Sequence, residues 1–279
     1  MDNNVKVTPS RSRFNVRTLV GLGLLTAIVI VLQFIGAAIR FGTFSVSLVL
    51  MPIVVGAALY GVGAGAWLGL VFGVVVLLSG DANTFLAINP FGTVVTVILK
   101  GVLAGAVSGL VYTWLAKLFS RSLTVERLAV VLTCCILLIG GAVMLYFGIK
   151  LKSAPVDPTA EAVASPAVYL IIFGIVLLVV GIALIAYELI KKPDLDMSAA
   201  VFAAAAVCPI VNTGIFLLGC RLFFFDTIKE WAGGTNVGTF MIVGLVGLNF
   251  IFELSVNLIL SPAIVMLIRF GEKSIAKRS

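Results

Sequence analysis

The stretch MIVGLVGLNFIFELSVNLILSPAIVML, residues 241–267, decides the fold of this chain. It is longer than the roughly 20 apolar residues that a membrane-spanning helix needs. It nevertheless carries Asn249, Glu253 and Asn257, which are four residues apart and therefore share one face of a helix. An ionisable group at membrane depth usually faces a bundle interior or a cavity. The stretch thus predicts a membrane helix with a polar stripe, which either binds a ligand or joins neighbouring helices.

The composition indicates that the rest of the chain also belongs to a membrane protein. Of its 279 residues 61% are hydrophobic and 11% are charged, whereas a soluble domain has about 25% charged residues. Several apolar runs have helix length, and the alternating short segments of a membrane barrel are absent. We therefore predict an all-α, polytopic membrane helix bundle with the lipid bilayer as its surroundings. The net charge is +7, but the basic residues lie at the ends of predicted helices rather than in one patch. This distribution argues against a nucleic-acid partner.

The apolar runs predict about eight spans, at residues 18–39, 46–60, 61–78, 91–115, 128–147, 168–189, 198–224 and 241–267. Most of the 19 lysines and arginines then lie in inner segments, so both termini are predicted to be cytoplasmic. The predicted divisions are a tail at 1–17, core helices at 18–116, an inserted transmembrane hairpin at 117–196, core helices at 197–268 and a tail at 269–279.

Two glycine ladders lie on consecutive core helices. The first is Gly61, Gly65, Gly69 and Gly73, and the second is Gly101, Gly105 and Gly109. Spacing of four residues puts each ladder on one stripe, so each predicts the close approach of a neighbouring backbone.

Lys100 is buried in the predicted topology, about 14 Å below the outer end of its helix. Asn212, Asn249 and Glu253 fall at a similar depth on two other helices. We expect these groups to converge on one cavity, because small-molecule sites are apolar pockets with a few placed polar groups. Lys100 would either take a ligand carboxylate or form a structural ion pair with Glu253. Pro209 is expected to bend the helix that carries Asn212.

No catalytic function is predicted. The chain has no His and no CxxC pair, and we find no nucleophile with an adjacent base. A GxxxxGK[ST] phosphate loop is also absent, which argues against ATP hydrolysis by this chain. We expect neither a metal nor a cofactor.

Four stretches resemble the substrate-binding S components of energy-coupling factor (ECF) transporters. They are VVGAALYGVGAGAWLGLVFG (54–73), AINPFGTVVTVILKGVLAG (87–105), CPIVNTGIF (208–216) and NFIFELSVNLILSP (249–262). The resemblance covers most of the chain outside residues 117–196. It implies a six-helix core that binds a vitamin or vitamin precursor. It also implies partners, namely a transmembrane coupling subunit and two ATPase subunits that use ATP.

The resemblance also implies site residues. Substrate contacts carry over to Asn89, Lys100, Asn212, Asn249 and Glu253, and more weakly to Asn257 and Arg40. Small residues on the first helix face the coupling subunit in that family, which points to Gly23 and Ala27. The inserted hairpin departs from the family pattern and is expected to pack on the periphery. We expect the loop at 79–92 to close the pocket.

The substrate is predicted to be pantothenate-like. Lys100 and Arg40 suit a carboxylate, and the sequence shows no obvious aromatic cluster for a large flat ring. One alternative is a stand-alone secondary transporter in which Lys100 and Glu253 couple to protons or sodium. Another is an intramembrane enzyme or assembly factor.

Overall fold

The computed structural model describes residues 16–38, 40–41, 44–45, 48–119, 123–152, 166–190 and 198–276. The helices are α1 (Val16–Ala38), α2 (Leu50–Tyr60), α3 (Val62–Leu78), α4 (Asn83–Ile88), α5 (Pro90–Phe119), α6 (Leu123–Lys152), α7 (Pro166–Ile190), α8 (Ser198–Phe223), α9 (Phe225–Trp231), α10 (Val237–Thr239) and α11 (Gly247–Ala276), with a π-helical turn at Phe240–Leu245. Within the described ranges the β structure is one antiparallel pair, β1 (Arg40–Phe41) and β2 (Phe44–Ser45). The predicted helical class is confirmed apart from this small pair.

Within the described residues, three helices are long and apolar enough to cross a membrane, at Thr18–Ala37, Pro90–Leu118 and Ala199–Phe223. Val237–Leu245 and Asn249–Ser261 supply a fourth candidate if the bent pair is one span. These helices support a membrane protein. α2 has 11 residues, so it extends about 16 Å, or half the hydrocarbon thickness. The number of spans and the orientation of the termini stay predictions.

The glycine ladders of α3 and α5 pack against each other, which confirms the predicted close approach. A methyl group on Gly69 would collide with the carbonyl oxygen of Gly101, and one on Gly105 would collide with that of Gly65. Gly61 is not part of this contact. It ends α2 with a φ of 90°, a conformation that glycine adopts at no steric cost.

The long stretch at 241–267 is not one continuous helix. The π-helical turn precedes α11, and the two parts of the bent pair meet at 47°. π-helical turns frequently mark functional sites. Asn249 and Glu253 lie within the first two turns of α11, directly after this break. By contrast, α8 runs through Pro209 as one helix.

Two segments that lie between predicted spans contain short helices. α4 lies within the predicted loop at 79–92, and α9 lies within 225–238. Each helix has a buried apolar anchor, Phe85 in α4 and Ile228 in α9, and both anchors belong to one hydrophobic cluster. Tertiary burial therefore orders segments that the polar, turn-rich sequence predicts as irregular.

The helices α6 and α7, which lie in the segment predicted as an inserted transmembrane hairpin, pack against each other. They approach closely where Gly141 faces the carbonyl oxygen of Gly174. The hairpin contacts the rest of the bundle through a cluster of Cys134 and Val180 with residues on α8 and α11, which are Phe202, Leu254 and Leu258. Leu254 directly follows Glu253, so the hairpin covers a side of α11 adjacent to the polar stripe.

Candidate functional site

A polar cavity of about 70 Å³ lies in the bundle interior, bounded by α1, α3, α5, α8 and α11 and by the segment that contains α4. Four of the predicted binding residues line it, Lys100, Asn212, Asn249 and Glu253. The sequence placed these four residues at a similar depth in the membrane, and in the structure they line one cavity. Their role in binding a ligand stays a prediction.

Glu253 is the buried centre of a hydrogen-bond network, with 1% of its surface exposed. Its carboxylate accepts a 2.9 Å hydrogen bond from Asn249 Nδ2, one helical turn earlier. It also accepts a 3.3 Å hydrogen bond from Asn212 Nδ2 on α8. A buried carboxylate is tolerated only when such donors replace water. The two amides therefore serve the carboxylate and link α8 to α11.

Lys100 is held over two aromatic faces. Its Nζ lies 5.5 Å from the ring centroid of Phe72 and 5.4 Å from that of Phe216. The charges of Glu253 and Asp81 both attract the Lys100 ammonium. Ring faces and carboxylates each stabilise a cation that has lost water. Lys100 thus has several partners within the cavity wall rather than one ion pair with Glu253.

Gln33 and Asp81 form a second amide–carboxylate pair in the cavity wall. Gln33 Nε2 donates a 2.7 Å hydrogen bond to Asp81 Oδ2, and Gln33 is 1% exposed. The sequence reasoning gave neither residue a site role. A signal was available, because Gln33 is a lone amide in the apolar run 18–39 and Asp81 is the only charge in the segment 79–92. Polar groups at such positions are expensive and usually functional.

Three polar atoms in residues of the cavity wall make no hydrogen bond within the described part of the chain. They are Gln33 Oε1, Thr96 Oγ1 and Asn212 Oδ1, and all three are buried. Buried polar atoms in proteins are nearly always satisfied by protein groups or by ordered water, so these three atoms offer hydrogen-bonding sites to water or to a ligand in the cavity. Asn257 Oδ1 is also unpartnered, but Asn257 does not line the cavity.

Aromatic rings form much of the apolar wall, so the expectation that the site lacks an aromatic cluster is wrong. Phe85 packs edge-on against Phe216 at 5.6 Å, Phe224 at 5.0 Å and Trp231 at 5.9 Å. Phe72, Phe85, Phe216 and Phe224 all line the cavity. These rings come from separate helices and the junction between α8 and α9. No local sequence spacing therefore reveals the cluster.

A second cavity of about 310 Å³ adjoins the first. Trp231, Phe240 and Leu245 line it, and Asp81 and Phe85 belong to the walls of both cavities. Ligand sites for drug-sized molecules measure about 300–1,000 Å³, so the inner cavity alone is small.

The remaining predicted binding residues lie elsewhere. Asn89 caps α5, since its Oδ1 accepts a 2.9 Å hydrogen bond from the Gly92 backbone, and it lines neither cavity. Asn257 is buried and donates from Nδ2 to the Glu253 carbonyl at 3.0 Å. Arg40 pairs with Ser45 in the β1–β2 ladder, and its side chain lies outside the described part. Asp81, Ala82 and Phe85 place the segment 79–92 in the cavity wall, as expected.

The predicted docking residues Gly23 and Ala27 are exposed on α1. A Cβ atom on Gly23 would meet nothing within 4 Å. Large apolar side chains surround them on the same helix, including Val20, Leu24 and Ile28. α1 therefore presents an apolar surface with two small residues in it.

Within the described residues, no group of three or more His, Cys, Asp or Glu is placed to hold a metal ion. Comparison with protein-family models, curated proteins and solved structures finds no match for the chain. The resemblance to S components therefore rests on sequence motifs alone. The arrangement in the cavity offers hydrogen-bond donors, acceptors and ring faces to a small polar molecule.

Proposed function

We propose that this protein is a membrane-embedded substrate-capture subunit for the uptake of a vitamin or vitamin precursor. The observation that carries the proposal is the cavity itself. It places Lys100 and the Glu253 network beside aromatic rings in the interior of an apolar bundle. Buried ionisable groups are costly in a membrane, and they usually mark a substrate or ion pathway.

Delivery of the substrate would require partners. The motif resemblance favours a transmembrane coupling subunit and two ATPase subunits in the cell membrane. The exposed small residues Gly23 and Ala27 on α1 form a surface that another helix can approach closely. The chain would then have about eight spans with both termini in the cytoplasm.

We propose a pantothenate-like molecule as the substrate. Lys100 is the reason for favouring a pantothenate-like carboxylate. However, the charges of Asp81 and Glu253 already attract its ammonium. With all three groups ionised, the carboxylates in the wall outnumber the ammonium, which weakens the electrostatic case for an anionic ligand.

A stand-alone, ion-coupled secondary transporter is the second candidate. The broken helix at Phe240–Leu245 favours it, because secondary transporters bind substrate and ions at discontinuous helices. Asp81, Glu253 and Lys100 would supply the charged groups for coupling to protons or sodium.

The first test is mass spectrometry of small molecules released from the chain purified alone in detergent. A retained vitamin-like molecule supports a capture subunit, and pantothenate should be examined directly. If pantothenate pairs with Lys100, Lys100→Ala should weaken its binding by about tenfold or more. Lys229→Ala is the matched control, since Lys229 is exposed on α9 and lines neither cavity.

Transport in proteoliposomes separates the two candidates. The capture subunit should move substrate only when the coupling subunit, the ATPase subunits and ATP are present. Uptake by the chain alone, driven by a proton or sodium gradient, would contradict the proposal and establish the secondary transporter.

A further inference from the structure

The carboxylates in the cavity wall fix the orientation of the amides beside them. An ionised carboxylate has only acceptors, so an amide that contacts it must do so through its NH2 group. Glu253 engages the NH2 groups of Asn212 and Asn249 in this way. Asp81 engages the NH2 group of Gln33. The orientation of these amides therefore follows from chemistry and not from the local backbone.

This orientation turns amide oxygens away from the carboxylates. Gln33 Oε1 and Asn212 Oδ1 are both buried and unpartnered in the described part of the chain, and both residues line the cavity. Asp81 and Glu253 lie on different segments, and each leaves an amide oxygen turned away from its carboxylate. The cavity therefore displays hydrogen-bond acceptors that a ligand with N–H or O–H groups can satisfy in place of water.

The remaining groups in the wall favour the same kind of ligand. Ring faces carry partial negative charge and attract flat or cationic groups, and Phe72 and Phe216 already contact the Lys100 ammonium. Lys100 is in turn attracted by Glu253 and Asp81. A carboxylate ligand would face these two like charges and two acceptor oxygens as well as the Lys100 ammonium.

We propose that the ligand is an amine-bearing nitrogen compound whose N–H groups donate to Gln33 Oε1 and Asn212 Oδ1. Gln33 and Asn212 are then specificity-determining residues, and Asp81 and Glu253 act as positioning residues behind them. This inference rests on the proposed binding function, and it replaces the carboxylate expectation for the substrate.

The test uses benzamidine and benzoate as probes with the full-length chain in detergent. The two probes have nearly the same flat shape, but benzamidine is a cation with N–H donors and benzoate is an anion with acceptors. Isothermal titration should show benzamidine binding at least about tenfold tighter than benzoate. Preference for benzoate, or binding of neither probe at millimolar concentration, would overturn the proposal.

Asp81→Asn tests the positioning role. An asparagine at this position can donate to Gln33 Oε1, so the Gln33 amide is free to turn its NH2 group toward the cavity. The preference for benzamidine over benzoate should then fall by about tenfold relative to the natural chain. Asp226→Asn is the matched control, because Asp226 is exposed on α9 and lines neither cavity. An unchanged preference in Asp81→Asn would contradict the positioning role.

The outcomes also separate this inference from the proposed function. Retention of pantothenate by the purified chain, together with preference for benzoate, would support a capture subunit and overturn the amine-bearing ligand. Preference for benzamidine in a chain that transports alone on an ion gradient would support the ligand chemistry and overturn the capture subunit.

Discussion

Asn212 on α8 donates a hydrogen bond of 3.3 Å to Glu253 on α11, and both residues are buried in the cavity wall. Asn249 donates to the other carboxylate oxygen at 2.9 Å. The carboxylate thus connects two helices that are far apart in sequence. α11 begins directly after a π-helical turn. The hydrogen bond between Asn212 and Glu253 therefore also holds the first turns of α11 against α8. The same contact therefore serves packing and the shape of the cavity.

Glu253→Gln should disrupt this network. Asn212 and Asn249 donate to different oxygens of the carboxylate. In glutamine an NH2 group replaces one of these oxygens, so one asparagine NH2 group would face another donor and a buried N–H group would remain unpaired. We expect ligand binding to weaken by at least about tenfold and stability to fall by about 1–3 kcal/mol. Titration calorimetry and thermal unfolding in detergent measure the two effects.

Glu230→Gln is the control for that substitution, since Glu230 is exposed on α9 outside both cavity walls. It should leave binding and stability unchanged. Full binding by Glu253→Gln would show that the carboxylate has no part in the site.

Gly69→Ala should separate α3 from α5. The added methyl group would overlap the Gly101 carbonyl oxygen, which cannot move without displacing the α5 backbone. We expect a loss of about 1–3 kcal/mol in unfolding free energy, as for other overpacked contacts. Ligand affinity should also fall, because Lys100 directly precedes Gly101. Unfolding of the detergent-solubilised protein by a denaturing detergent measures the stability change.

Gly63→Ala is the matched control on the same helix. Gly63 is exposed, and a Cβ there would meet nothing within 4 Å. Because alanine has the higher helix propensity, this change should be neutral or slightly stabilising. Equal stabilities of the two variants would mean that the ladders do not pack as described.

If the proposed coupling subunit docks on α1, Gly23→Leu together with Ala27→Leu should block docking without affecting ligand binding. Both positions are exposed on α1, away from the cavity wall, and large side chains there would keep a partner helix at a distance. We expect loss of ATP-driven uptake and of copurification with the coupling subunit. Val31→Leu, at a position that is already large and exposed, should preserve both. Normal uptake by the double variant would place docking elsewhere.

The sequence predicted the parts of the fold that depend on local periodicity. Helix-length apolar runs identified the long helices, and four-residue glycine spacing identified the contact between α3 and α5. The polar stripe on residues 241–267 and the depth of Lys100 were enough to group four residues that now share one cavity. Each of these predictions depends on residue spacing within a single helix or on the distance of a residue from the end of its helix.

The sequence could not predict features that depend on contacts between distant segments. Gln33 pairs with Asp81 across 48 positions, and Phe72, Phe85 and Phe224 come to line one cavity only in the folded bundle. Asn89 was assigned to the site through the family resemblance. Its side chain caps α5, a role typical of a residue that precedes a helix-starting proline.

Phe85→Ala should join the two cavities and speed ligand exchange. The Phe85 ring lies in the wall of both spaces and is held edge-on by Phe216, Phe224 and Trp231. Its removal leaves space between the cavities of about 70 Å³ and about 310 Å³. We expect the dissociation rate of a bound ligand to rise by about tenfold or more, because most changes within one binding site act on dissociation. The loss of a buried ring should also lower stability by about 3–5 kcal/mol.

The dissociation rate is measured by dilution of protein loaded with a radiolabelled form of the retained ligand. Phe91→Ala is the control, since Phe91 is 73% exposed and lines neither cavity. Thermal unfolding of both variants shows whether faster release merely follows from weakened folding. If Phe85→Ala loses stability but releases ligand at the original rate, the ring supports the wall without controlling passage. Faster release at a temperature where the variant is fully folded identifies the space beside Trp231 as the route to the inner cavity.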